Sequence, residues 1–256
     1  MNDKENMFQG QMYSASDIGL KRKNNEDAAY SAKSQYGVLL LVADGMGGHR
    51  KGEVASKLVV DTLSYSFAKA RHTFNRFRSH LFLVNNSKDA NKQIYKMAIS
   101  SDEYREMGTT ESAALIGQDG TTIFSVGDSR VYSFKKGVGL TQISKDQSYV
   151  ELLFETGRID KDEMKTHPQR NILTNAVGLN ATLSNYEEFF IPNDSYDKLL
   201  LCTDGLFNMV SDEEIKMVLE KEETIEEKAK ELIQLALEHG GNDNVAVVLW
   251  EKRYER

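Results

Sequence analysis

Residues 36–48, YGVLLLVADGMGG, decide the reading of the fold: an unbroken apolar run that ends on Asp44 and breaks at once into glycine. A Val/Leu-rich run of this length predicts a strand buried on at least one face, and glycine directly after it predicts a sharp turn. Two more runs end the same way, TTIFSVGD (121–128) at Asp128 and KLLLCTD (198–204) at Asp204, which Gly205 follows. A fourth apolar run, 245–250, comes just after GNDN (241–244), so Asp243 stands before a strand and can approach the same edge from a neighbouring strand. Strand ends therefore converge on one carboxylate-rich place.

Between the strands lie helical patterns. Val54, Leu58, Val59, Leu63 and Phe67 form one apolar stripe over 52–70, and Ala90, Ile94, Met97 and Ala98 repeat it over about 89–100. Ser211 with Glu214 and Thr224 with Glu227 are capping boxes that open two C-terminal helices, and Gly240 and Gly241 supply a stop. The stretch 147–170 predicts a helix stopped at Gly157, then a short one capped by Asp160 with Glu163, before His167 and Pro168. It reads as a flap-like insertion. Strands and helices alternate in pairs, which favours an α+β arrangement of antiparallel sheets covered by helices over a doubly wound parallel sheet. Residues 1–11 read as a flexible tail, and 12–256 as one domain with no internal repeat.

Composition narrows the function. The 256 residues carry 32 Lys and Arg against 39 Asp and Glu, a net charge of -7, which speaks against a general nucleic-acid binder. The apolar runs fall far short of the roughly 20 residues of a membrane span, and the polar start MNDKENMFQGQ lacks a secretory pattern, so the cytoplasm is the expected compartment. The single cysteine, Cys202, cannot form an internal disulfide and agrees with a reducing compartment. It reads as a small core residue, because a CxxxxxR phosphatase would need Arg where Asn208 stands. No Gly-Lys pair exists for a P-loop, and the five histidines show no HExxH spacing. The glycines after Asp44 resemble a dinucleotide loop only in part: Arg50 takes the last glycine position, and Asp44 would repel a pyrophosphate.

A hard divalent cation reverses that objection. A carboxylate at a strand end, followed by glycine whose carbonyl can also ligate, suits Mg²⁺ or Mn²⁺. If Asp27, Asp44, Asp204 and Asp243 meet at one sheet end, their repulsion raises their pKa values unless cations neutralise them. Taken singly, each is an ordinary turn or cap aspartate; the set shifts the balance.

Six segments in order then carry a family resemblance: SDIGLKRKNNEDAAY (16–30), VADGMGGHRKGEVAS (42–56), MGTTESAALI (107–116), VGDSRVY (126–132), CTDGL (202–206) and GNDNVAVVL (241–249). They resemble the successive motifs of the metal-dependent protein phosphatase 2C family in its bacterial form. The resemblance spans roughly residues 12–250 and implies an α-β-β-α sandwich of two antiparallel sheets. It implies a Mn²⁺- or Mg²⁺-dependent phosphoserine/phosphothreonine phosphatase, in which water shared by two cations is deprotonated and attacks phosphorus in line. By the same resemblance Asp44 bridges the cations, the Gly45 carbonyl, Asp204 and Asp243 are further ligands, and Glu26 and Asp27 hold metal-bound waters. Asp128, with Asp204, matches a third, weaker cation site, although a turn aspartate is an equal reading. Arg22 matches the phosphate-binding arginine, while Lys21 and Lys23 read as solvated.

Departures from the family fall at two places. Met46 stands where animal members carry a histidine proposed as the leaving-group acid, and His49 cannot be assumed to replace it; a metal-bound water is the expected donor. Gln147 follows Asp146 where relatives often have Asp-His. Gly108, Thr109 and Thr110 are expected to support the core near the site. The basic run Lys69, Arg71, Arg76 and Arg78 reads as a solvated helix face or connection rather than a docking patch. Expected partners are phosphorylated proteins, a serine/threonine kinase and its targets, with no nucleic acid, no membrane and a monomeric state. Rival readings are a pseudophosphatase binding module, which should have lost metal aspartates, and a phosphatase dedicated to an anti-sigma-type partner.

Overall fold

The computed structural model describes residues 8–47 and 51–253. One antiparallel sheet runs in the order β1 (Gly10–Asp17), β11 (Val245–Lys252), β10 (Lys198–Cys202), β7 (Arg130–Lys135) and β8 (Gly139–Gln142). The other runs β2 (Asp27–Ser34), β3 (Gly37–Met46), β5 (Glu111–Ile116), β6 (Thr121–Val126) and β9 (Glu187–Ile191), with the short β4 (Gly108–Thr109) paired to the end of β3. Helices α1 (Gly52–Ala68) and α2 (Arg76–Ser100) cover the second sheet. The first is covered by α5 (Asp204–Phe207), α6 (Asp212–Glu220) and α7 (Ile225–Glu238). Two short helices, α3 (Tyr149–Glu155) and α4 (Lys161–Thr166), stand in the connection from β8 to β9. This is the α+β sandwich expected from the sequence.

The period of two along each strand divides the apolar residues into three layers. Val38, Leu40 and Val42 of β3 meet Leu199, Leu201, Val248 and Trp250 of the opposite sheet. Leu39, Leu41 and Ala43 face the other way, against Val59, Leu63 and Phe67 of α1 and Leu83 and Ile94 of α2. Leu200, Val247 and Leu249 lie under Ile215, Ala229 and Leu232 of the C-terminal helices. Each fully buried aliphatic side chain contributes about 1.5–3 kcal/mol relative to exposure. The three layers fix how the sheets face each other, and hence where their ends meet.

The capping boxes predicted at Ser211, Thr224 and Asp160 all form, and Gly157 ends its helical turn at φ +67°. Two boundaries differ. Helix α2 begins at Arg76 and not near 89, because Asn75 caps it by accepting from the Arg78 amide and its apolar face continues back through Leu83 and Val84. The expected tail also ends earlier than residue 11: Gly10 pairs with Lys252 in β1, and Phe8 is buried against the inter-sheet core. The basic run falls where α1 connects to α2, with Arg76 stacked 4.6 Å over the Phe190 ring. Among the described residues no helix is long and apolar enough to cross a membrane.

Candidate active site

Strand parity aims the first two carboxylates. Asp44 continues the series Val38, Leu40, Val42 and so turns toward the opposite sheet at the strand's end. Asp27 is its cross-strand partner in the β2–β3 register, which puts both side chains on one face. From the other sheet, Thr203 donates its hydroxyl to Asp27 Oδ2 at 2.6 Å and accepts from the Ala246 amide at 2.9 Å. Thr203 thereby ties the two sheets together beside the carboxylates, and it is the residue from which α5 starts with Asp204.

Two further aspartates arrive on loops. Asp243 precedes β11, accepts from the Asn244 amide through Oδ1, and holds the half-exposed Arg22 guanidinium through Oδ2 at 2.6 Å. Asp128 lies in the β6–β7 turn, where Asp204 and Asp146 act on it as like charges. Burial pushes the Asp44 and Asp128 carboxyls well above their ordinary range, and neighbouring carboxylates add to it. Desolvation, with Asp204 and Asp243 nearby, pushes Asp27 up to about 8, and desolvation with Asp243 brings Asp204 to about 6. Asp44 is close enough to Asp27 and Asp204 for each to act on the others' charge. The repulsion anticipated from the sequence is therefore present in Asp27, Asp44 and Asp204, with the Asp243 carboxylate among its sources.

The set shows one unmet demand. Asp204 Oδ2 accepts from Asn208, but Asp204 Oδ1 is buried with no protein donor facing it. Among the described residues no three acidic or histidine side chains close into a ready-made metal cage. Arg22 offsets part of the charge through its pair with Asp243. A divalent cation fits this donor set, all hard oxygen.

Glycine packing sets the floor. A Cβ on Gly45 would lie 2.2 Å from the Gly52 carbonyl oxygen, so only glycine lets β3 and the start of α1 cross so closely. The Gly45 amide donates to the Glu26 carbonyl, and a Cβ on Gly52 would meet the Glu26 carboxylate at 2.6 Å. Burial and then Glu53, in the first turn of α1, raise the Glu26 carboxyl. Glu53 Oε2 is itself buried without a partner, an acid next to the site that the sequence did not single out.

Thr109 and Thr110 do what was expected and more. The Thr110 amide and the Thr109 hydroxyl both donate to the Asp44 carbonyl, while the Asp44 amide donates to the Thr110 hydroxyl. Met46 faces Gly108 across the β3–β4 pair, and His49 lies outside the described residues. Lys21 and Lys23 are exposed, as expected. Cys202 is buried in β10, where desolvation raises its thiol far from reactivity.

Asn244 is a positioning residue that the sequence hid inside GNDN. Its side-chain amide donates to the Ile18 and Asn24 carbonyls at 2.8 and 2.9 Å and accepts from the Glu26 amide at 2.8 Å. It thus pins the loop that carries Arg22 and Glu26 to the strand that follows Asp243. Asn244→Ala breaks all three part-buried bonds and is expected to cost about 2–4 kcal/mol, read as a lowered midpoint in urea unfolding. A loss under about 0.5 kcal/mol contradicts that role.

Fold and site together define a two-sheet sandwich with a cluster of aspartates where the ends of the two sheets meet. The family model described as Protein phosphatase 2C matches residues 21–246. A serine/threonine phosphatase, Stp, of Listeria innocua is 37% identical over 238 residues, covering 92% of this chain and 93% of that protein. The solved structure of the serine/threonine phosphatase Stp1 from Staphylococcus aureus superposes with a TM-score of 0.89 at 40% identity, covering 96% of each chain. The catalytic domain of the serine/threonine phosphatase PstP, solved in complex with 2 manganese ions, superposes with a TM-score of 0.81 at 33% identity, covering 95% of this chain and 98% of that one. The chain belongs to the protein phosphatase 2C family.

Proposed function

We propose that this chain hydrolyses phosphoserine and phosphothreonine in proteins with two bound Mn²⁺ or Mg²⁺ ions, removing phosphate that a serine/threonine kinase has added. The observation that carries the reading is the group Asp27, Asp44, Asp204 and Asp243, brought together from both sheets, with Asp204 Oδ1 buried and without a donor. When bound, the cations supply an activated water and neutralise charge on the phosphoryl group. Asp44, the Gly45 carbonyl, Asp204 and Asp243 would hold them, Glu26 and Asp27 would hold their waters, and Asp128 with Asp204 would offer a third, weaker position.

Arg22 has two partners to choose between. In the structure it pairs with Asp243, and its half-exposed position leaves the guanidinium fork open to solvent. With a cation at Asp243 the guanidinium would be free to grip two phosphoryl oxygens and so orient the phosphoryl group. Position 46 is a thioether and carries no proton, so the leaving serine or threonine oxygen takes its proton from water.

Phosphate release from a phosphothreonine peptide is expected to rise with added Mn²⁺ and to stop with EDTA. Release that is unaffected by EDTA sinks the metal-dependent reading. Manganese uptake without any release would instead favour the pseudophosphatase module.

A further inference from the structure

Gln147 holds three segments at once. Its side chain is only 8% exposed, and Oε1 accepts from the Gly127 amide and from Asn175 Nδ2, both at 3.0 Å. Its backbone repeats the bond, since the Gln147 amide donates to the Gly127 carbonyl and the Thr174 amide donates to the Gln147 carbonyl, both at 2.8 Å. The three segments are the turn carrying Asp128 and the two stems of the helical insertion that begins at Gln147. Because both neighbours of Oε1 are donors, the amide has one orientation, and Nε2 is left buried without a partner.

The opposite side of the same turn is fixed as well. Ser129 Oγ bonds Thr110 Oγ1 at 2.7 Å, and the Ser112 hydroxyl donates to the Ser129 carbonyl at 2.6 Å. Gly127 sits at φ +95°, with its missing Cβ 2.6 Å from the Thr110 methyl, so the turn cannot shift toward β5. Asp128 is thus suspended between Thr110, which also holds Asp44, and Gln147, which also holds the insertion.

We propose that Gln147 is a positioning residue that ties Asp128 to both stems of the 147–170 insertion, so that ordering of the insertion and placement of Asp128 rise and fall together. Its functional weight rests on the reading of Asp128 as a cation-holding carboxylate. By linkage, a cation held at Asp128 then orders the insertion as much as an ordered insertion favours the cation.

Hydrogen exchange of the full chain, followed by mass spectrometry with and without millimolar Mn²⁺, tests this. Gln147→Met keeps the volume and removes the acceptor; exchange over 125–131 and 172–177 is expected to quicken together by about tenfold, with 38–43 unchanged. Gln147→Glu, which keeps an acceptor oxygen, is expected to restore protection. Unchanged exchange over 125–131 in Gln147→Met overturns the proposal. If that variant loosens 38–43 as well, Asn175→Ala, which removes one donor to Oε1, takes its place with the same expected pattern and the same overturning result. Mn²⁺ is expected to slow 172–177 in the natural chain but not in Gln147→Met or Asp128→Asn; equal slowing in Gln147→Met overturns the coupling. No slowing in the natural chain, with 125–131 loosened in the variant, refutes the cation reading of Asp128 and leaves the clamp standing.

Discussion

Asp44→Asn is expected to lower Mn²⁺-dependent phosphate release by about 10³-fold or more while raising the thermal midpoint of the cation-free protein. Both halves follow from the same geometry. Asp44 faces Asp27 across the register and feels Asp204, Asp128 and Asp243, so four other carboxylates act on its charge. An amide there removes the repulsion and donates hydrogen bonds where Asp27 and Asp204 need them. The backbone is unaffected, because the bonds from Thr109 and Thr110 go to the Asp44 main chain. A gain of about 1–3 kcal/mol corresponds to a midpoint several degrees higher. The amide brings no negative charge to hold a cation, so added Mn²⁺ should stabilise the variant much less than it stabilises the natural chain. Activity within tenfold of the natural chain, or a cation-free midpoint several degrees lower, sinks the assignment of Asp44.

The parts of this molecule legible in the sequence are those with local signals. A capping box is complete within four residues, so the starts of α4, α6 and α7 were readable without any knowledge of the fold. The apolar strand runs were readable, but the turn expected at the glycine after the aspartate is not what forms: Gly45 continues β3 to Met46 because β4 pairs with it, and Gly205 lies in α5. The facing of Asp27 and Asp44 was not readable, because it depends on a cross-strand register that no single segment encodes. Thr203, Asn244 and Gln147 were missed as working residues for the same reason: each acts through bonds to segments distant along the chain. The start of α2 was hidden by its composition, since charged residues outnumber apolar ones in its first turn and only the packing of Leu83 and Val84 reveals the buried face. Family resemblance supplied ligand roles that spacing alone left open.

Glu111→Gln is expected to make the protein progressively more stable than the natural chain as pH rises from about 4.5 to about 8. Glu111 lies in β5 on the face turned toward α2, completely buried, where the Ser87 hydroxyl donates to Oε1 at 2.6 Å and Oε2 has no partner. Burial pushes its carboxyl from the usual 4.5 up to about 8, far more than the one hydrogen bond from Ser87 can offset. The folded state therefore holds a proton that the unfolded chain releases above about 4.5. A raised pKa gives a contribution that is fully present below the unfolded value. It is lost at about 1.4 kcal/mol per pH unit as pH rises, until the folded carboxyl ionises as well. At neutral pH the accumulated loss is on the order of 3 kcal/mol. Glutamine keeps the shape and the acceptor for Ser87 but has no proton to lose, so it escapes that loss. Other groups titrate in the same window, Asp27 and Asp204 among them, but they are common to both proteins and cancel in the difference. Urea unfolding of the two proteins side by side is therefore the measurement, and curves that stay parallel across the window would mean that the Glu111 carboxyl finds water or a partner in the folded state.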